Sequence, residues 1–516
     1  MEGVLNFLLH EYDFKAIKKM LLNDIEDDWI QDPLKFKDYF FLEIEKKLSE
    51  NLNKNNGKYI GQSTEKFFIP KGNSTVRYTL EFNFYDRLAY LLMTYPFIIK
   101  FDKILSMRVY SHRYSGNNGF LFHSGITQWQ KFEGVIRTEM EGKYLVMTDI
   151  QNYYENIELS LLQNDIEYFY NKSQCSNDEL IKLRVLCDNL FSNLRKWCLS
   201  ETRGLPQNKD CSSFWANVFM NQIDLEMIKK YDYYRYMDDI RIICDDMYQA
   251  RRALQDLVNL LRDKKLSLNG MKTSIISPGS ENHKKYLIPN FELESIESLL
   301  KSKKKANIIS AYDLLRNKMK ELLDEGKYED REFRFCLHRL ATLARHRVSV
   351  FNANQFWEGI VPKTIDLIHE CPSISDKIFH FLASTKIEEV HQEKIVSYLI
   401  DKNRAIYNWQ NYLLWKLTIV CKLNDSRLLN FARELITLNN ADPDCFGSLL
   451  YIDKFGSTED KLKVLNGFSE TDSYLLQRHK FIAIKDLDWK NHGVGKIKSM
   501  VNYNLIGTYR VIKEQI

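Results

Sequence analysis

Two adjacent acids inside an alternating strand pattern constrain this chain more than anything else in its 516 residues. Asp238 and Asp239 sit in the run Asp232-Tyr233-Tyr234-Arg235-Tyr236-Met237-Asp238-Asp239-Ile240-Arg241-Ile242-Ile243-Cys244. Tyr234, Tyr236, Ile240 and Ile242 keep a period of two, so the spacing predicts strand, tight turn, strand. A hairpin tip is a rigid, open platform. Carboxylates crowded there repel one another unless a cation neutralises them, and their oxygens are the ligands that hard cations such as Mg2+ take. An Asp-Asp pair is weak evidence by itself: Asp27-Asp28 and Asp245-Asp246 also occur, and both read as solvated surface or loop.

Three further segments give the pair its context. Upstream, Tyr144-Leu145-Val146-Met147-Thr148-Asp149-Ile150 is a short apolar run ending in an acid. It reads as a buried strand that presents Asp149 at its end, before a turn through Gln151-Asn152-Tyr153-Tyr154 into a helix. Between the acids lies Arg203-Gly204-Leu205-Pro206-Gln207, where Gly and Pro stop regular structure. Ser212, Ser213 and Asn217 follow, and Phe214 to Ile228 has helical spacing. After the hairpin comes Leu266-Ser267-Leu268-Asn269-Gly270-Met271-Lys272-Thr273.

Acid-Ile-x-x-Tyr-Tyr, Gly-Leu-Pro-Gln, Tyr-Met-Asp-Asp and Leu-x-Leu-Asn-x-x-Lys-Thr, in that order, resemble the palm motifs of reverse transcriptases over residues 75 to 280. The resemblance implies in-line phosphoryl transfer, catalysed by positioning and charge stabilisation. It implies two Mg2+ ions per site, with Mn2+ as the alternative, about 3.5–4 Å apart. Asp149 and Asp238 would bridge them, Asp239 would support them, and the Ile150 carbonyl would add an oxygen ligand. Tyr154 matches the aromatic that lies under the sugar and excludes a 2′-hydroxyl; the bland reading keeps Tyr153 and Tyr154 as core aromatics. Gln207 matches the glutamine that contacts the incoming nucleotide, and Lys272 the lysine near the triphosphate. Arg108 and Arg113 lie in a basic, aromatic stretch that reads equally as a triphosphate-holding fingers segment or as an ordinary charged strand. One departure stands out. Most of the family continues Gly-Leu-Pro-Gln with Gly, Ser and Pro, in a region that in the family faces the template, whereas here Asn208-Lys209-Asp210 follows.

Composition bounds the rest. Hydrophobic residues make up 44% of the chain, enough for well-cored domains, and no apolar run reaches the length of a membrane span. The start, Met1 to His10, lacks a basic leader. Nine cysteines form no CxxC pair, which reads as scattered core thiols in a reducing compartment. The expectation is a cytoplasmic protein without membrane contact. A net charge of +4 argues against a large nucleic-acid footprint. Lys301 to Lys305 reads as a solvated helix face or as part of a local basic channel.

The pattern changes near residue 285. Helical spacing runs through 311–323, 333–343, 356–368, 378–382, 395–399, 412–421 and 428–438, broken at Pro362, Pro372, Asn424-Asp425 and Pro443. The expected fold is an α+β reverse-transcriptase fingers/palm followed by an all-α domain. Its boundaries fall at 1–75 (N-terminal segment and start of fingers), 76–285 (fingers/palm) and 286–516 (helical). Two helices per roughly 40 residues read as a HEAT-like array, with an irregular bundle as the alternative. A polymerase palm fused to a long helical region resembles the bacterial abortive-infection (Abi) reverse transcriptases, and among them the type carried by P2-like prophages. That resemblance implies defence against phage, untemplated DNA synthesis from deoxynucleoside triphosphates, priming from a tyrosine of the chain so that the DNA is covalently attached, and homo-oligomers. The 29 tyrosines leave the primer open, with Tyr12, Tyr39 and Tyr59 as N-terminal candidates. Two other readings stay beside this one: an RNA-templated defence enzyme using a dedicated non-coding RNA, and a helical interaction protein with a non-catalytic palm.

Overall fold

The structure is a computed structural model that describes residues 14–26, 28–36, 44–72, 74–117, 119–287, 291–302, 304–345, 359–488, 491–492 and 494–509. The chain forms two compact units. One comprises Met1–Gln31, Glu43–Lys66 and Thr79–Pro289; the other comprises Asp32–Leu42, Phe67–Tyr78 and Asn290–Ile516.

The first unit carries helices α1 (Phe14–Ile25), α2 (Ile44–Lys54), α3 (Phe84–Phe101), α4 (Gly125–Glu139), α5 (Tyr153–Asn156), α6 (Leu159–Lys172), α7 (Asn177–Trp197), α8 (Asp210–Lys230), α9 (Met247–Asp263) and α10 (Glu281–Leu287). Its hairpin strands are β1 (Glu65–Lys71) with β2 (Thr75–Glu81), and β3 (Tyr114–Asn117) with β4 (Phe120–Phe122). The residues of β1 and β2 between 67 and 78 count with the second unit. The central sheet runs in the order β6 (Asp232–Tyr236), β7 (Asp239–Cys244), β5 (Tyr144–Asp149), β8 (Ser274–Ile276), every pair antiparallel. β5 is therefore an inner strand. Its apolar run has the buried composition such a position demands, and Leu145 and Val146 are fully buried.

The expected strand–turn–strand is present, with one refinement. Tyr236 pairs with Asp239, which leaves Met237 and Asp238 as a two-residue turn. Pairing across such a turn joins odd to even positions. Tyr234 and Tyr236 thus share a face with Arg241 and Asp239, while Ile240 and Ile242 share the opposite face with Arg235 and Tyr233. The period-two stripe of the sequence is two stripes on opposite faces. On the first face, Phe132, Ile136 and Met140 pack against Leu145, Tyr234, Ile243 and Ile276. α9 packs on β5 and β7.

In the second unit the helices are α11 (Phe291–Lys301), α12 (Lys305–Asp324), α13 (Arg331–Ala344), α14 (Ile360–Glu370), α15 (Ser375–Leu382), α16 (Glu389–Ile400), α17 (Asn408–Val420), α18 (Ser426–Leu438), α19 (Pro443–Phe455), α20 (Thr458–Asn466) and α21 (Tyr474–Ile484). Most pack on a neighbour in sequence and also on the next but one: α13 on α15, α15 on α17, α17 on α19, α19 on α21. A second row joins α12, α14, α16 and α18 in the same way. The predicted helices are found, with one correction. The helix expected over 356–368 begins at Ile360, after Gly359 in a left-handed conformation. Pro362, expected as a break, lies in its first turn, where a missing N–H costs no helical bond. Phe356 lies outside the described residues. Arg478, fully buried, is held by Asp32. Lys301, Ser302, Lys304 and Lys305 are exposed, as a solvated face requires, and Lys303 lies outside the described residues. Among the described residues, no helix is long and apolar enough to cross a membrane.

Candidate active site

Asp149 ends β5 and Asp239 begins β7, and the two are directly paired in the ladder. Their side chains therefore leave the same face of the sheet. Between β6 and β7, Met237 adopts a left-handed conformation (φ +58°) that closes the turn. The turn is tied down from two sides. Asp238 accepts a backbone hydrogen bond from Ile150 at 3.1 Å, which fixes it beside the end of β5. The Met237 carbonyl accepts from Arg235 Nη1 at 2.8 Å.

Arg235 is the hub of this support. It is fully buried and makes a two-pronged pair with Asp224 of α8, at 2.8 and 2.7 Å. It also donates to Asn217 Oδ1 at 3.0 Å. Asn217 donates in turn to the Ser111 carbonyl at 2.9 Å, and Tyr233 donates to Asp224 at 2.9 Å. The segment at Val109 bridges β6 at Arg235 in parallel, which aligns Arg108 to Ser111 with the hairpin. From sequence alone Asn217 has no assigned role, and Arg235 and Asp224 do not stand out. The available signal is a charged residue flanked by tyrosines on a strand and an acid inside an apolar helical run, each of which needs a partner if buried.

The segment after the hairpin docks on β5. Asn269 donates its N–H to the Asp149 carbonyl at 2.8 Å, and Gln151 donates to the Ser267 carbonyl at 2.8 Å. The Thr148 and Thr273 hydroxyls meet at 2.7 Å. This docking brings Lys272 Nζ to 2.8 Å from Asp149 Oδ2. Asp239 lies 3.0 Å from Arg241 Nη1. Burial opposes the Lys272 charge, yet Asp149, with Asp238 and Asp239 behind it, raises its pKa. Asp238 is half-buried. Burial first, then the Asp149 and Asp239 charges, push its carboxyl up to about 6.

Among the described residues, no three His, Cys, Asp or Glu side chains are gathered as a ready-made metal shell. Asp149 and Asp239 each face a cationic side chain instead. The donor set nevertheless suits a hard cation: it consists of carboxylate oxygens, and the Asp149 and Asp239 charges add to burial in lifting Asp238.

The Gly-Leu-Pro-Gln loop meets the turn that follows Asp149. Leu205 donates to the Tyr154 carbonyl and Gly204 to the Ile157 carbonyl, both at 3.0 Å. Gly204 has φ +92°, and a Cβ there would stand 2.4 Å from Leu199 Cβ. Gly204→Ala is expected to lose about 1–3 kcal/mol of stability through backbone strain and this clash, measurable by urea unfolding. Tyr153 is buried and donates to the Ala216 carbonyl at 2.5 Å, a packing role. Tyr154 is half-exposed, its hydroxyl 2.8 Å from Ser213 Oγ. Gln207 is half-exposed, and among the described residues its amide has no hydrogen-bond partner.

Arg113 is not joined to these residues. Its guanidinium pairs with Asp102 at 3.1 Å and donates to the Ser106 and Val109 carbonyls at 2.7 and 2.9 Å, so it braces a turn. Arg108 lies over the Tyr234 ring and reaches Asp232. Asp28, read as solvated surface, is instead buried against Arg87 and Lys209; Asp27 lies outside the described residues. Asp245 and Asp246 are exposed, and Asp246 caps α9. Of the tyrosines considered as primers, Tyr59 is buried and donates to Asp86 at 2.6 Å. Tyr12 and Tyr39 lie outside the described residues.

The sheet thus brings acids to the end of an inner strand and to the adjoining hairpin. Residues 100–315 match the family model "Reverse transcriptase (RNA-dependent DNA polymerase)". The chain thus contains a reverse transcriptase domain and is a nucleotidyltransferase. No curated protein matches it. Solved structures similar to it include telomerase from Candida albicans in complex with a fragment of telomeric RNA. That structure is 10% identical over 75% of this chain and 67% of that one, with a TM-score of 0.32. Apo telomerase from Candida tropicalis is 12% identical over 84% and 73%, with a TM-score of 0.30. At these scores nothing further rests on the likeness.

Proposed function

We propose that this chain polymerises deoxynucleotides at the site built by Asp149, Asp238 and Asp239. The observation that carries the reading is the ladder that sets Asp149 opposite Asp239 while the Asp238 carbonyl is locked to Ile150. Asp149 and Asp238, with the Ile150 carbonyl, would hold two Mg2+ or Mn2+ ions, and Asp239 would support them. Such ions, when bound, activate the attacking hydroxyl and neutralise charge on the leaving phosphates. Lys272 then exchanges Asp149 for the triphosphate, a point charge for an anionic ligand. Gln207 faces the nucleotide with an uncommitted amide. Tyr154 lies under the sugar and disfavours a 2′-hydroxyl.

The finer reading joins this palm to the helices of residues 290–516, which we take as a HEAT-like array. That combination, with the palm motifs, supports an Abi-type enzyme acting against phage in the bacterial cytoplasm as a homo-oligomer. It would synthesise DNA without a template, from a tyrosine of its own chain. A phenol is a poor nucleophile near neutral pH, with an unperturbed pKa of about 10, so priming requires activation at the acid site. Tyr59 is excluded from that role by its burial and its bond to Asp86. RNA-templated synthesis is the second reading, favoured by the RNA-dependent family that residues 100–315 match.

One incubation separates them. Purified protein with deoxynucleotides and Mg2+, without primer or template, is expected to gain DNA that stays with the chain through denaturation and is released by nuclease. DNA that separates from the denatured chain, or synthesis that needs an RNA and is lost on RNase treatment, selects the templated reading.

A further inference from the structure

The Tyr154 hydroxyl does not stand alone. Ser213 Oγ, 2.8 Å from the Tyr154 hydroxyl, donates to the Lys209 carbonyl at 3.3 Å. A serine hydroxyl has one proton. With that proton on Lys209, the Tyr154 phenol is the donor to Ser213, and the chain of bonds runs one way, from Tyr154 to Ser213 to Lys209. The Ser213 N–H donates to the same carbonyl at 3.1 Å, so Ser213 is held twice in the first turn of α8.

Lys209 is itself anchored. It sits in the segment where the sequence departs from Gly-Ser-Pro, and its side chain is wholly enclosed. Nζ lies 2.5 Å from Asp28 Oδ1 and 3.1 Å from Glu81 Oε2. Asp28 also faces Arg87 at 3.2 Å, and Arg87 holds Asp24 at 2.8 Å. Asp24 Oδ1 accepts the Asp210 N–H at 2.9 Å. Two cations and three carboxylates thus fix the start of α8 to the N-terminal residues of the unit. Breaking a buried pair of this kind leaves an uncompensated charge, so the anchor is stiff.

We propose that Ser213, immobilised by Lys209 and its buried acids, is a positioning residue for sugar selection: it pins the far end of the Tyr154 ring against the 2′ side of the incoming sugar. This rests on the reading of Tyr154 as the sugar gate. The physical need is plain. A tyrosine turns between staggered wells about χ1 and over a broad, two-fold profile about χ2, and a ring free to turn would move aside for one extra oxygen. Selectivity is the difference in transition-state binding of the two sugars, and the tie converts a yielding wall into a fixed one. Lysine in place of the family's usual small residues is then explained by its reach to Asp28 and Glu81.

The test compares kcat/KM for ribo- and deoxynucleotides in the parent, Tyr154→Ala, Tyr154→Phe, Ser213→Ala, Ser213→Thr and the Tyr154→Phe/Ser213→Ala pair, with thermal unfolding as a check on folding. Tyr154→Ala is expected to lose most of the discrimination. Ser213→Ala and Tyr154→Phe break the same hydrogen bond from its two ends, and each is expected to lower the ratio by about 3- to 10-fold, the range of one such bond. Ser213→Thr keeps the hydroxyl and restores the parent ratio. The double variant falls no further than either single one, because both remove one interaction. A parental ratio in Ser213→Ala, with the ratio altered in Tyr154→Ala, overturns the proposal and leaves the gate standing. Additive losses in the double variant overturn it too, since the Ser213 effect would not pass through the phenol. An unchanged ratio in Tyr154→Ala refutes the gate itself, and the proposal with it.

Discussion

Asp238→Asn protein is expected to fold like the parent and to incorporate no measurable deoxynucleotide, and Asp149→Asn the same. The carboxylates contribute charge stabilisation to the transferring phosphoryl group through the cations they hold. Each ~4 kcal/mol lost is about a thousandfold in rate. Retained folding follows from the electrostatics. The Asp238 carboxyl is raised to about 6 by burial and by its acidic neighbours, so above that pH its charge opposes the folded state. The neutral amide removes that opposition, and the Tm is expected to stay or rise. Folded Asp238→Asn protein that incorporates at the parental rate refutes the assignment of this residue.

A second large effect is expected at the buried pair that supports the hairpin. Asp224→Ala leaves Arg235 charged and without its carboxylate at a position with no solvent access. Removing one partner of a buried pair costs about 3–5 kcal/mol, and Tyr233 loses its acceptor as well. Urea unfolding reads the loss directly. Replacing both partners with apolar residues, Asp224→Leu with Arg235→Met, is expected to recover much of the stability, because no charge is then left buried. It does not restore the Arg235 bond to the Met237 carbonyl. The double variant is therefore expected to be stable yet slow, with a loosened turn at Asp238. An Asp224→Ala midpoint equal to that of the parent shows that the pair does not hold the hairpin.

Asp149, the hairpin acids and the Gly-Leu-Pro-Gln loop were legible in the sequence because local pattern carries them: an apolar run that stops at an acid, an alternation broken by two carboxylates, a Gly-Pro interruption. Each needs only neighbours in sequence to be seen. The supports were not legible, because their partners are remote. Asp28 reads as surface until Lys209, 181 residues away, and Arg87, 59 away, are placed against it. Arg235 has no visible role in its run until α8 supplies Asp224. Arg113 marks the same limit from the other side: a basic residue among aromatics has one appearance whether it meets a ligand or, as here, Asp102 and a row of carbonyls. The split of the period-two stripe between faces depended on the turn having two residues rather than three, which the spacing of apolar residues does not encode.

The most direct measurement is incorporation of labelled deoxynucleotide by the purified parent chain, first with Mg2+ and then after its removal by chelation. Expected is synthesis that stops in the chelator and returns when Mg2+ or Mn2+ is restored. Incorporation that continues in the chelator, or none from folded protein with any primer and template offered, would contradict an acid-held cation site at Asp149 and Asp238.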